Sequence, residues 1–147
     1  MWEKIYAQIK APFYIVGSNA TDEIKALHNE ERGIIFKGFV SEEELKELYE
    51  KVRLVVVPLR YGAGVKGKVI EALYYRDPVI TTAVGAEGID NSHNQMLVAD
   101  EPEDFIKGCV RLYNDKEALK DMSRAAGEYV ENKHSIEAVW EIIREDF

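Results

Sequence analysis

Apolar positions along this chain fall into two alternating kinds of run. Short, nearly continuous runs at residues 13–16 (FYIV), 34–37 (IIFK), 54–58 (LVVVP), 78–82 (PVITT) and 96–99 (MLVA) predict β-strands. Three are dominated by Val and Ile, as strands buried on both faces require. Between the strands, apolar residues return at the helical period. In SEEELKELYEKV, Leu45, Leu48 and Val52 make one stripe, and Ser41 with Glu44 three residues on forms a capping box that starts the helix. Pro102 suits the first position of a later helix, and Ser135 caps the closing segment SIEAVWEIIREDF. Strands alternating with helices predict a doubly wound parallel α/β sheet of about five strands, with helices on both faces and a helical C-terminal tail from Pro102 onward. Ligands of such sheets sit beyond the carboxyl ends of the strands. That directs attention to residues 17–19, 38–40, 60–67, 83–91 and Asp100.

Composition narrows the ligand. The 147 residues fit one domain without repeat or low-complexity linker, and no apolar run approaches the roughly 20 residues of a membrane span. Asp and Glu number 27 against 19 Lys and Arg, a net charge of −8, so most of the surface repels nucleic acid and anionic membranes. An anion site must therefore be a local basic cluster. The single cysteine, Cys109, excludes an internal disulfide and shares a helical stripe with Phe105 and Leu112, which makes it a core residue. His28, His93 and His134 are scattered and no D-x-D lies near the glycine loop, so no metal is expected. The first residues, MWEKIYAQIKA, lack the apolar stretch of a secretion signal.

The densest chemistry lies in GAGVKGKVIEAL, residues 62–73. Gly62, Gly64 and Gly67, between a strand and a helix starting near Lys66, let backbone N–H groups approach an anion at a helix N-terminus. Lys66 and Lys68 add two positive charges to that turn. Glu71, about one helical turn past Lys68, suits the two hydroxyls of a ribose. Two other readings stay open. In one, the glycines serve a plain turn in which Glu71 pairs with Lys68 or Arg76; in the other, the G-x-G-x-x-G spacing marks an NAD site, with Glu87 lying 20 residues beyond Gly67. Against the dinucleotide stand the two lysines inside the fingerprint and the two strand-helix units before it.

From residue 55 to 89, VVVPLRYGAGVKGKVIEALYYRDPVITTAVGAEGI closely resembles the donor-binding, C-terminal half of retaining GT-B glycosyltransferases, the group 1 or glycogen-synthase-like family. The likeness extends through FYIVGSN and IIFKGFVSEEEL on one side and NQMLVADEPEDFIKGCVRLYND on the other. It implies a Rossmann-like nucleotide-sugar-binding domain spanning residues 1–147, transferring a sugar from a UDP-, GDP- or ADP-sugar to an acceptor hydroxyl with retention. Lys66 and Lys68 then meet the diphosphate, and Glu71, the second glutamate of the family's E-x7-E pair, meets the ribose. Gly17, Gly38 and Val40 line the base, while Gly64 and Val65 shape the phosphate loop. Lys66, Lys68 and Glu71 are the residues the resemblance assigns to catalysis, by stabilising the leaving group and donor.

Ala63 stands where many relatives carry the first glutamate. The acceptor domain and the first strand of this domain are expected to be absent, leaving the isolated chain inactive. A glycan or lipid-linked acceptor would be met by that missing half. Cytoplasmic residence follows from the resemblance, with any contact to the inner membrane face made by the absent domain. A degenerate module that keeps the fold for partner binding is the alternative.

Overall fold

The computed structural model describes residues 1–133, so the helix capped by Ser135 lies outside the described residues. The elements run α1 (Trp2–Ile9), β1 (Phe13–Val16), α2 (Asp22–Lys25), a 3-10 turn (Glu30–Arg32), β2 (Ile34–Gly38), α3 (Glu42–Lys51), β3 (Val55–Val57), α4 (Gly67–Tyr74), β4 (Val79–Thr81), β5 (Met96–Val98), α5 (Pro102–Tyr113) and α6 (Lys116–Lys133). All five predicted strands form, and every pairing among them is parallel. The pairing runs in two groups rather than through one continuous ladder: β1 with β2, and β3 with β4 with β5.

Local chemistry explains most boundaries. Ser41 Oγ accepts a hydrogen bond from Glu44 N at 3.2 Å, which caps α3, and Pro102 opens α5 as its first residue. α2 is capped in the same way, by the Thr21 side chain accepting from Ile24 N. MWEKIYAQIKA folds as the eight-residue α1, because Trp2, Ile5 and Ile9 share one face. Ile5 is buried and Lys10 ends the helix in the left-handed conformation.

Two apolar layers sandwich the three-stranded sheet. On one side Val69, Ile70, Leu73, Tyr129 and Val130 of α4 and α6 pack with Val57 and Val79. Ile80 faces the other layer, where Ile5, Phe105, Ile106 and Cys109 of α1 and α5 gather. Cys109 is core as expected, and burial pushes its thiol up to about 12. Fully burying a side chain such as Ile70 contributes roughly 1.5–3 kcal/mol, so these layers fix β3 and β4 firmly enough to aim the loops at their carboxyl ends.

Candidate donor-binding site

The loop between β3 and α4 is bound to its neighbour by several ties. At the end of β4, Thr81 Oγ1 donates to Val57 O at 2.8 Å, and just past it Thr82 Oγ1 donates to Leu59 O at 2.5 Å, joining the ends of two strands. Asp100, just past β5, accepts from Ala83 N at 2.8 Å. Gly85 permits this closure, since a Cβ there would lie 1.9 Å from Thr81 Oγ1. Gly88, at φ +75°, lies against Val65, where a Cβ would come within 2.7 Å of Cγ2. The glycine loop therefore rests on residues 83–89.

Gly62 and Gly64 take φ values of +129° and +80°, which an L side chain rarely adopts, so the loop's path depends on glycine at both. Lys66 is the N-cap of α4 and makes no side-chain cap to the helix; the first turn contains no acidic residue. Instead its ammonium turns back to Gly64 O at 2.5 Å and to Glu87 Oε2 at 3.7 Å, with the side chain 14% exposed. Lys68 is exposed. The N-terminus of α4 thus presents backbone donors and a free-standing lysine beside a lysine already neutralised by a glutamate. Glu87, the acidic residue of the NAD reading, is the partner of Lys66.

Glu71 points elsewhere. It is 2% exposed and sits beside Tyr49, whose hydroxyl is hydrogen-bonded to it and is held in its protonated form by burial first and by the Glu71 charge second. Lys68 is therefore exposed and Glu71 enclosed, although they lie about one turn apart on α4. Nearby, Asp77 is 7% exposed, its Oδ2 has no hydrogen-bond partner, and burial pushes its carboxyl up to about 8.

Of the three residues expected at the base, two are in contact. Gly17 N donates to Gly38 O at 2.9 Å, bringing the loops after β1 and β2 together, with Val40 half-buried beyond them. Tyr74 and Tyr75 are packing residues: Tyr75 stacks on Tyr49 with centroids 4.7 Å apart and meets Tyr74 edge-on at 5.4 Å. Phe39 and Tyr61 are different, at 79% and 88% exposed on the loops after β2 and β3. A hydrophobic pattern cannot flag Phe39, because an aromatic after a strand reads as core until burial is known.

His28 accepts from Phe36 N through Nδ1 and His93 lies 3.8 Å from Glu128; His134 is outside the described residues. Among the described residues no three His, Cys, Asp or Glu side chains gather as a metal site would need, and no helix is long and apolar enough to cross a membrane. A groove of about 630 Å³ runs along β5 and α5 between Leu97 and Arg111, away from the glycine loop.

The sequence profile of the group 1 glycosyl transferases matches residues 1–115, most of the chain. The chain belongs to this family. One curated relative, the "uncharacterized 44.6 kDa protein in cps region" of Klebsiella pneumoniae, is 26% identical over 104 residues, 70% of this chain and 27% of that protein. Among solved structures, TarM superposes with a TM-score of 0.71 at 19% identity, covering 98% of this chain and 30% of its own. Alr3699/HepE of Anabaena, solved with UDP and glucose, gives 0.69 at 15% identity, covering 97% and 42%. At these identities the likeness establishes the fold, that of GT-B glycosyltransferases. This member of the family spans less than half the length of the relatives it matches.

Proposed function

We propose that this chain is the donor-binding domain of a retaining group 1 glycosyltransferase. It holds a nucleoside diphosphate sugar while the sugar passes to an acceptor hydroxyl. The carrying observation is the start of α4: a glycine loop in left-handed geometry, no acidic residue in the first turn, and Lys66 and Lys68 in an otherwise acidic protein. In the reaction, the bond between the anomeric carbon and the diphosphate breaks, the acceptor oxygen bonds to that carbon on the same face, and the acceptor proton passes to the departing diphosphate oxygen. The leaving diphosphate gains negative charge, which the α4 N-terminus and Lys68 stabilise electrostatically without a metal. Lys66, released from Glu87, adds to this. Gly64 and Val65 shape the phosphate loop, Glu71 holds the ribose, and Gly17, Gly38 and Val40 border the base.

A relative of the same fold solved with UDP and glucose supports a uridine nucleotide as the first donor to try. The acceptor, a glycan or lipid-linked saccharide, is met by a further domain, which also makes any membrane contact, and the work is done in the cytoplasm. The relative from a cps region favours an envelope polysaccharide as product.

One geometric fact favours a second reading, a degenerate module. Ala63 leaves the loop without a carboxylate, while Glu71 and Lys66 already have protein partners. Titration of the protein with UDP, GDP, ADP and NAD, followed by amide chemical shifts, separates the readings. The donor domain predicts shifts from Gly64 to Glu71 and at Gly17 and Val40 with one nucleoside diphosphate. Silence with all four ligands selects the degenerate module, and a response to NAD alone selects the dinucleotide site.

A further inference from the structure

The exposed turn before α4 has no polar side chain of its own. Gly62, Ala63, Gly64 and Val65 offer a ligand only backbone groups. Two polar side chains are brought to this turn, Lys66 from its end and Glu87 from the following loop. One ammonium joins them: Lys66 Nζ lies 2.5 Å from Gly64 O and 3.7 Å from Glu87 Oε2. The Glu87 side chain is 51% exposed and accepts no hydrogen bond among the described residues, so most of its acceptor capacity is unused.

Backbone holds Glu87 in this place. Ala86 N donates to Thr82 O at 3.0 Å, Glu87 N to Val84 O at 3.3 Å and Ile89 N to Ala86 O at 3.1 Å, which winds residues 82–89 into consecutive turns. Ile89 is buried and Ala86 packs on the same cluster as α4. Gly88 rests against Val65 of the glycine loop. The carboxylate therefore stands at the rim of that loop on a fixed support. Lys66 is the enclosed member of the pair, 14% exposed, so an anion that draws its ammonium away from Glu87 comes to rest close to Glu87 itself.

Resting on the donor-domain reading, we propose that Glu87 is a specificity residue that favours a nucleoside diphosphate sugar over the nucleoside diphosphate left after transfer. The ion pair and the donor match in kind. The donor brings a phosphate anion for Lys66 and, on the ring carbons beyond the anomeric one, hydroxyls that donate to Glu87. That exchange leaves neither charge unpaired. A nucleoside diphosphate brings the anion alone. Taking Lys66 then leaves the Glu87 carboxylate beside a phosphate with nothing to donate to it, and the like charges repel. Glu87 thus assists both the arrival of the loaded donor and the departure of the spent one. Glutamine at this position keeps the shape and removes the charge.

The test titrates the parent, Glu87→Gln and Glu87→Asp, followed by amide chemical shifts, with UDP, GDP and ADP and with the matching UDP-glucose, UDP-N-acetylglucosamine, GDP-mannose and ADP-glucose. The parent is expected to bind the sugar form of one pair about tenfold more tightly than its diphosphate. Glu87→Gln should abolish that ratio, chiefly by binding the diphosphate more tightly. Should Glu87→Gln fail to fold, the parent ratio and that of Glu87→Asp, whose shortened carboxylate is expected to keep only part of the preference, decide the matter. A parent that binds both forms equally, or a Glu87→Gln variant that tightens both and keeps the parent ratio, as freeing Lys66 alone would, overturns the role of Glu87 and leaves the donor reading standing. No shift at the glycine loop with any of these ligands overturns the donor reading and this role together.

Discussion

α3 and α4 follow successive strands and start after loops of similar purpose, yet they are built in opposite ways. α3 opens with a serine cap and three consecutive glutamates, which satisfy its backbone donors and complement its dipole. None of its ten residues is buried. α4 opens on glycine with no side-chain cap and no acid in its first turn, and six of its eight residues are buried. Its own carboxylate, Glu71, lies inside, as does that of Asp77 just beyond its end. One helix start is stabilised by its own sequence. The other has neither side-chain cap nor first-turn acid and depends for its stability on packing against α6 and the sheet, with Ile89 joining the same cluster.

The largest way to break that difference is to remove the support beneath α4. Gly85→Ala forces a Cβ against Thr81 and should destabilise the fold by about 3 kcal/mol, measured by urea unfolding. A loss under about 0.5 kcal/mol would mean that residues 83–89 do not anchor the glycine loop.

Asp77→Asn sharpens the comparison through pH. Because burial raises the folded carboxyl from 3.8 to about 8, the folded protein holds a proton that the unfolded chain has lost between those values. Stability therefore falls as pH rises from about 4 to about 8, and this contribution is flat at lower pH. Asp77→Asn should remove the slope and leave the variant about 2 kcal/mol more stable than the parent at pH 8. Equal slopes in the two proteins would place Asp77 in contact with water.

The smallest change is Ser41→Ala. It removes the α3 cap, which should lower stability by about 1 kcal/mol while nucleotide affinity stays the same. A fall in affinity of the same size would show that the two helix starts are coupled.

Much of this was legible in the sequence, for physical reasons. Short Val/Ile runs such as VVV and VIT have little alternative to buried parallel strands, and the pairing of Ser41 with Glu44 announces a helix start whatever surrounds it. Gly17 and Gly38 were singled out in the sequence only through the resemblance; their contact follows from the parallel pairing of β1 with β2. The inward turn of Glu71 was not, since helical spacing fixes the angle from Lys68 but not which side carries Tyr49. Nor was the Lys66–Glu87 pair, made by loops 21 residues apart in sequence. The break between β2 and β3 was equally hidden, because hydrophobic pattern predicts strands and not their neighbours.

The central claim is that the open start of α4 holds a diphosphate, and the most direct measurement compares UDP with uridine. Titrations followed by amide shifts on the parent and on Lys68→Ala give all four affinities. The account predicts that the parent prefers UDP, that Lys68→Ala weakens UDP about tenfold, equivalent to about 1.4 kcal/mol, and that uridine affinity does not change. Equal losses for the two ligands, or a parent that binds UDP no better than uridine, would contradict it.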